Sequence, residues 1–278
     1  MYWRVKTFIS SVGFIIGIFL VTGSIQAQSI HPALTDKHTL TLGAYDLESD
    51  SKVGARRDGS DAGDIELEDL GVDKDYVSWM LGYRWRFADR WALFLNANTY
   101  DVDGEAEISE SFEYEGNTFE AGLKLESAFT ADSYIIDILY SVYKNDRAEL
   151  MLGGGVHALD FDISFKGTAF IGDESRSETV SSDDLLAPMP NLRATGFYAF
   201  SPKWSAQGTV GWLRVNVDDW DGDYAFLNLR TDYRFAKRFG VGIGYQITDV
   251  DVTYSGKRFE HTYDIQYDGP TLYLEYGF

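Results

Sequence analysis

The 278-residue chain contains no cysteine, and its proline content is low. The absence of cysteine excludes disulfides and is compatible with an exported protein that is stable without them. Basic residues are also scarce, because 24 Lys and Arg stand against 44 Asp and Glu, giving a net charge of −20. This balance disfavours a nucleic-acid partner, since phosphate binding needs clustered Lys and Arg. The five prolines fall where a missing N–H is tolerated, at predicted strand ends, turns or bulges: Pro32, Pro188, Pro190, Pro202 and Pro270.

Long apolar runs are missing after the first 27 residues, so the sequence predicts no membrane-spanning helix there. The N-terminal run from Phe8 to Val21 follows Arg4 and Lys6 and leads into small residues that end at Ala27. This pattern is typical of a secretory signal peptide cleaved after Ala27. The alternative, a transmembrane anchor, is disfavoured because a spanning helix needs ~20 apolar residues. We therefore expect a signal peptide over 1–27 and one large β-domain over 28–278.

Aromatic residues and alternating strands are abundant. The chain has 18 Tyr, 18 Phe and 7 Trp. From Tyr224 to Phe235, odd positions are largely apolar, whereas even positions include Arg230, Asp232 and Arg234. This period of two predicts a β-strand, and the charges on its second face are too costly for a dry core. One apolar and one charged face are typical of a membrane barrel with lipid outside and a polar lumen inside.

Four short polar turns, each flanked by aromatic residues, alternate with longer acidic connections. The turns lie at 88–90, 144–146, 201–203 and 236–238, and the acidic connections at roughly 48–74, 110–120, 167–187, 218–221 and 255–258. The alternation predicts an antiparallel up-and-down β-barrel of ten strands, with eight or twelve as alternatives. The expected strands are about 37–47, 75–87, 90–109, 121–143, 147–166, 188–200, 203–217, 222–235, 239–254 and 259–278. Short connections beside an aromatic belt are typical of the periplasmic rim, so the even count predicts that both termini lie in the periplasm.

Two features of the outer ends leave alternatives open. In the strands ending at Val217 and beginning at Phe259, the apolar residues change parity near the outer end. A one-residue slip swaps faces, so this indicates either a β-bulge or outer halves that project beyond the bilayer. Ile65 and Leu67 also alternate within the first acidic loop. That segment could return as a short strand or cover the mouth of the barrel.

The last strand carries a family resemblance. Leu272-Tyr273-Leu274-Glu275-Tyr276-Gly277-Phe278 alternates apolar residues and ends in Phe, which resembles the C-terminal assembly signal of bacterial outer-membrane β-barrel proteins. As a whole, the mature chain is similar to small barrels of the OmpA and OmpW type. The resemblance implies a Gram-negative outer-membrane location, contact with lipid and lipopolysaccharide, and recognition of the strand ending in Phe278 by the barrel-assembly machinery. It implies no activity.

Eight charged residues are predicted to face the lumen: Arg84, Arg86, Asp137, Arg193, Arg230, Asp232, Arg234 and Glu275. One interpretation is structural, because Arg and carboxylates can pair across a narrow lumen and fill it. The other is a selectivity region for a small anionic solute, since five Arg outnumber three acids. The first favours a closed barrel with a structural or surface-interaction role, and the second a narrow, porin-like channel.

An outer-membrane enzyme acting on lipid A or surface peptides is the alternative function. His157 precedes Asp160 and Asp162, which could supply the carboxylate that a general base needs, but the sequence shows no catalytic motif. Nor does it show a cofactor-binding or metal-ligand spacing, and Asp219–Asp223 lacks the spacing of an EF-hand. We therefore predict no catalytic, cofactor or metal residues. The acidic outer loops are expected to be solvated and could share divalent cations with lipopolysaccharide.

Overall fold

The structure is a computed structural model that describes residues 30–57, 64–114, 117–171, 174–217 and 219–278. The predicted signal peptide lies outside the described residues. No helix in the described part of the chain is long and apolar enough to cross a membrane.

Thirteen β-strands form one sheet, accompanied by short 3-10 helices at Pro32–Leu34 and Glu68–Leu70. The strands are β1 (His38–Arg57), β2 (Ile65–Glu66), β3 (Asp75–Ala88), β4 (Trp91–Glu107), β5 (Phe112–Tyr114), β6 (Asn117–Phe119), β7 (Lys124–Lys144), β8 (Ala148–Ile171), β9 (Glu174–Ala199), β10 (Trp204–Val217), β11 (Trp220–Arg234), β12 (Phe239–Ser255) and β13 (Phe259–Gly277). The ten long strands, β1, β3, β4 and β7 to β13, pair antiparallel in chain order. Strand β1 also pairs with β13, from Thr39 opposite Gly277 to Arg57 opposite Phe259, which closes the barrel. The predicted fold class and strand count are confirmed.

The predicted boundaries are wrong at three outer ends. Strand β1 was expected to end near residue 47 but continues to Arg57, because its outer half pairs with β13. The predicted loop at 167–187 is mostly strand, since β8 and β9 stay paired as far as Ile171 and Glu174. Acidic residues suggested loops at these places. Beyond a bilayer, however, the outer face of a strand meets water, so charge there is compatible with a strand.

The parity changes in β10 and β13 are not caused by bulges. The register of β10 with β11 and of β12 with β13 is unbroken. Trp212 and Leu272 face outward and are exposed, whereas Leu213 and Ile265 face inward and are buried. The apolar residues therefore move from the outer surface to the interior without a change in the register of the strand. This is the pattern expected of strands whose outer halves stand in water.

The half of the barrel away from the short turns is called the outer half below. Its interior is an apolar core, called the outer core, which is formed by residues from the barrel strands and from the loops at that end. It includes Tyr114 and Phe119 from the hairpin of β5 and β6, and Phe165 from β8. Strand β2 returns beside Lys52 and Val53, and the segment after it is also buried in this core, including Leu67 and Leu70. The described part of the loop after β1, residues 64–74, therefore covers the mouth of the barrel.

The opposite end of the barrel is filled by the segment from His31 to Asp36, called the N-terminal plug below. Ala33 and Leu34 of its 3-10 helix are buried against Phe197 and Ala199 of β9. Around this half, the outer surface is an apolar band that includes Trp79, Leu81, Ile136, Ile138, Leu192, Ile243, Leu272 and Leu274, all exposed. Aromatic pairs such as Trp85–Phe87 and Trp204–Tyr233 lie beside the short turns. The band and its aromatic rim match the lipid-facing surface of a transmembrane barrel.

Candidate functional site: the polar lumen

All eight predicted lumen residues face the interior, and the structure pairs each of them. Arg84 donates to the Ala33 carbonyl at 2.9 Å and to Thr39 Oγ1 at 2.8 Å, so it ties the N-terminal plug to the barrel wall. The other seven form three groups, described in turn. Their inward direction follows from the strand alternation that predicted them.

Arg86 forms the most regular ion pair in the lumen. Both terminal guanidinium nitrogens lie 2.8 Å from the two carboxylate oxygens of Glu149 on β8. Ser141 on β7 donates a further hydrogen bond to Glu149. The two charged side chains are only 7% and 4% exposed. Glu149 was missed in the sequence, although it lies one residue before the outward-facing Leu150 and its inward position can be read from that alternation.

Asp137 and Arg193 form the second pair, nearer the middle of the barrel. Their oxygen and nitrogen are 2.9 Å apart, and Asp137 is fully buried. The Arg193 guanidinium also lies 5.1 Å from the centre of the Phe94 ring, within the range of a cation–π contact. Gly155 on β8 makes this packing possible: a Cβ at that position would lie 1.7 Å from the Ile136 carbonyl oxygen.

The third group joins the last strands to the plug. Arg230 lies 3.2 Å from Glu275 and 3.8 Å from Asp232. Its guanidinium is 4.9 Å from the centre of the Tyr273 ring, and the Tyr273 hydroxyl donates to Asp232.

Arg234 bridges this group to the N-terminal plug. One of its terminal nitrogens lies 3.0 Å from Asp36 and 3.6 Å from Glu275. Sequence reasoning missed Asp36, because it precedes the first strand and no periodicity marks it.

The two missed acids change the charge of the lumen. With these two acids, the lumen contains five arginines and five carboxylates. The arginines are Arg84, Arg86, Arg193, Arg230 and Arg234, and the carboxylates are Asp36, Asp137, Glu149, Asp232 and Glu275. The predicted excess of five Arg over three acids therefore disappears. A buried charge is costly unless it is paired, and this cluster neutralises itself. It has no surplus positive charge with which to attract an anion.

A small chamber separates the charged layer from the outer core. It has a volume of about 90 Å³ and is bordered mainly by uncharged polar side chains, including Asn98, Thr209, Asn228 and Gln246. Asn228 donates to Gln246 at 2.9 Å, and Gln246 donates to Thr248 at 2.8 Å. The chamber has room for a few water molecules but leads into the packed outer core.

The plug contains a histidine held in its neutral form. His31 is buried, its ring packs 5.4 Å from that of Phe197, and its Nδ1 accepts the Ala33 N–H at 3.2 Å. Burial and the nearby Arg234 guanidinium lower the pKa of His31 to about 4. Burial raises the pKa of Asp36, and Arg234 opposes that rise.

The histidine–carboxylate arrangement considered for catalysis does not form. His157 faces the interior and is buried, whereas Asp160 and Asp162 occupy the opposite, outward parity of β8. Its Nε2 instead lies 2.6 Å from Ser133 Oγ, and its ring packs edge-on against Tyr224. His261 lies in the outer half, with its ring 6.3 Å from that of Tyr254. Within the described residues, no group of three or more His, Cys, Asp or Glu could hold a metal ion.

Comparison with known proteins supports the fold. No protein-family model and no curated protein sequence matches the chain. Among solved structures, the outer membrane protease OmpT from Escherichia coli matches with a TM-score of 0.57 and 11% identity, over 92% of this chain and 100% of that one. OprG from Pseudomonas aeruginosa (TM-score 0.38, 13% identity, 92% and 99% coverage) and the NalP translocator domain from Neisseria meningitidis (0.41, 12%, 87% and 87%) are more distant. The fold is that of bacterial outer-membrane β-barrels.

Proposed function

We propose that this chain is an integral protein of the bacterial outer membrane whose barrel is closed to solutes, with a structural or surface-interaction role. Support for the location comes from the signal-peptide pattern, the strand ending in Phe278 and the apolar outer band. Lipid, lipopolysaccharide and the barrel-assembly machinery are the partners this location implies. The short-turn end, which carries the N-terminal plug and Phe278, would face the periplasm.

The closed interior is the observation that carries the functional part of the proposal. A solute would have to pass the N-terminal plug, the neutral ion-paired layer and the outer core. The layer contains Arg86 and Glu149, whose separation would leave two unpaired buried charges. The outer core contains side chains such as Phe129 and Tyr263, which are almost completely buried. A channel needs a continuous polar path, and the outer core interrupts it.

Conductance across a planar bilayer tests this proposal. The refolded mature protein, shown to be inserted by protease protection, is expected to give no steady single-channel current. A steady current with anion preference, reduced by Arg193→Ala, would instead support the narrow-channel alternative and overturn the closed-barrel proposal.

The orientation has its own test, which uses the absence of native cysteine. A cysteine placed at Glu126, on the outer half, should react with a membrane-impermeant maleimide on intact cells. A cysteine at Asn145, in a short turn, should react only after the outer membrane is permeabilised. The reverse pattern would invert the topology.

The enzyme alternative depends on one local observation, the contact between Ser133 and His157. A nucleophilic serine needs an accessible hydroxyl and a histidine oriented by a third group. Both residues are buried, and His157 Nδ1 has no hydrogen-bond partner in the described part of the chain. We expect a fluorophosphonate probe to leave Ser133 unlabelled in the folded protein, whereas stoichiometric labelling lost in Ser133→Ala would support an enzyme.

A further inference from the structure

A groove crosses the lipid-facing wall of the barrel near its short-turn end. It has a volume of about 730 Å³ and is lined on strands β8 to β12 by Leu150, Gly196, Ala206, Gly208, Leu229 and Ile243 among others. Gly196 lies opposite Gly208 in the register of β9 with β10, and these two glycines form the floor. Their neighbours across the sheet, Leu150 and Leu229, form the walls.

The floor is open. A Cβ added at Gly196 would meet no atom within 4 Å. The side chains around the floor, Leu150, Leu229, Ile243 and Tyr245, are exposed on the surface of the barrel. They belong to the apolar band, so a molecule that fills the groove has to be apolar along its length.

The short turns on the same end of the barrel as the groove form a rim with an excess of positive charge. The four short turns carry five cations against two carboxylates, Asp89 and Asp146, and Arg147 follows the second turn directly. The cations of the turns are Arg90, Lys144, Lys203, Lys237 and Arg238. This excess is unusual in a chain whose net charge is −20. Lys203 is exposed and lies three residues before Ala206 on β10, and Arg147 directly precedes Ala148, which also lines the groove.

We propose that this groove and rim bind one anionic phospholipid of the periplasmic leaflet. One acyl chain would lie over Gly196 and Gly208, and the phosphate would meet the cations of the rim near Lys203. The apolar wall and the charged end match the two parts of such a molecule. The proposal goes beyond the closed-barrel function and depends only on the membrane placement given above.

A second copy of the chain fits the groove less well. Two barrels in one membrane related by a twofold axis present the same surface to each other. The same rim would then face itself, bringing Lys203 of each copy and its cationic neighbours together. Like charges brought together repel, whereas an anionic headgroup would neutralise the cations of the rim.

Lipid retention measured by native mass spectrometry tests the proposal. The probe is an equimolar mixture of phosphatidylglycerol and phosphatidylethanolamine in mild detergent, added to the refolded mature protein. The wild-type barrel should retain one phosphatidylglycerol in preference to phosphatidylethanolamine. Lys203→Gln should reduce that preference about fivefold, the ratio expected for one cation near an anionic surface. Lys37→Gln, a matched exposed lysine outside the four turns, should leave it unchanged.

Variants that fill the groove test the acyl-chain part. Ala206→Leu and Gly196→Leu should reduce retention of both lipids by about tenfold. Ala44→Leu is the matched control, because Ala44 faces outward between Trp79 and Leu272 on the far side of the barrel. Equal retention by wild type and Ala206→Leu would overturn the proposal. A wild-type dimer that dissociates in Ala206→Leu would also overturn the proposal, because a second copy of the chain would then occupy the groove.

The wild-type protein separates this proposal from the one on which it depends. A barrel that inserts into vesicles but retains no lipid would refute the lipid site and leave the membrane placement intact. A barrel that does not insert would refute both.

Discussion

The Arg86–Glu149 pair gives the most direct test of how the lumen is held together. Glu149→Gln keeps the size of the side chain but leaves the Arg86 guanidinium buried without a counter-charge. Breaking a buried pair by removing one partner costs about 3–5 kcal/mol. With a urea m-value of at most ~3 kcal/mol/M, the midpoint of unfolding should fall by at least about 1 M.

A matched exposed pair provides the control. Glu126 and Lys166 lie 2.7 Å apart on the outer surface, and each is 60% exposed. The distance is almost that of the buried pair, and Glu126→Gln is the same chemical change. Exposed ion pairs contribute about 0–1 kcal/mol, so this variant should unfold close to the wild-type midpoint.

A double variant separates the pair from its surroundings. Arg86→Met combined with Glu149→Leu replaces both charges with apolar side chains of similar size. Replacing both partners of a buried pair is often close to neutral, although Ser141 loses its acceptor at a cost of ~1–3 kcal/mol. The double variant should therefore be more stable than Arg86→Met alone or Glu149→Leu alone, each of which leaves one buried charge unpaired.

Equilibrium urea unfolding in micelles or vesicles, followed by tryptophan fluorescence, measures six proteins: wild type, Glu149→Gln, Glu126→Gln, the double variant and its two single variants. Two results would refute the reasoning. One is a cost for Glu149→Gln no larger than that of Glu126→Gln, which would mean that water reaches the pair. The other is a double variant as unstable as the sum of its singles, which would mean that the charges do not interact.

Two further predictions concern the glycines and the plug. Gly155→Ala should prevent folding to the native barrel, because the new methyl overlaps the Ile136 carbonyl oxygen, and Gly196→Ala should fold as well as wild type, because its methyl meets no atom. Refolding yield on gels checks both. His31 has a pKa of about 4 in the plug against 6.5 when free. Protonation therefore favours the undocked plug, so the free energy of docking should be undiminished well above pH 6.5 and weaker by about 2 kcal/mol at pH 5. A nitroxide at Lys37→Cys should report this loosening, and His31→Gln should remove its pH dependence between 6.5 and 4.

The sequence predicted the charged layer well, because alternation is strict where lipid covers the outside. Arg230, Asp232 and Arg234 share one parity of β11, and the opposite parity is apolar, so their direction could be read directly. Glu149 was missed because Gly153, Gly154 and Gly155 interrupt the pattern of the same strand. Asp36 was missed because its role depends on the plug folding back into the barrel, a tertiary contact that no local pattern encodes.

The strand ends were predicted less well for a different reason. In the outer half, apolar residues face the interior and acidic residues face water, so the rule that holds within the membrane is reversed there. Reading acid content as loop therefore shortened β1, β8 and β9. The single-residue change of parity was visible in the sequence. Its cause, a change of surroundings rather than a bulge, required the register of the neighbouring strands.

Strand β11 shows both patterns, an apolar interior in the outer half and a charged interior in the membrane. Going from its outer end, the inward side chains change from Tyr224 and Phe226, through Asn228, to the charged Arg230–Arg234 stretch. The outward side chains change in the opposite sense, from Asp223 to Leu229. Where water lies outside, the hydrophobic effect favours an apolar interior. Where lipid lies outside, the hydrophobic effect gives no preference for an apolar interior, and paired charges fill the lumen instead.

In the proposed closed barrel, the charged layer and the outer core each block the lumen independently. Removing Arg86 and Glu149 from the charged layer would leave the outer core in place, since the two share no side chain. Opening the outer core would leave the ion pairs and the N-terminal plug. We therefore expect that no single substitution in the lumen makes the barrel conduct. A current would require loss of the plug, the charged layer and the outer core together, which is the behaviour expected of the closed barrel proposed above rather than of a gated channel.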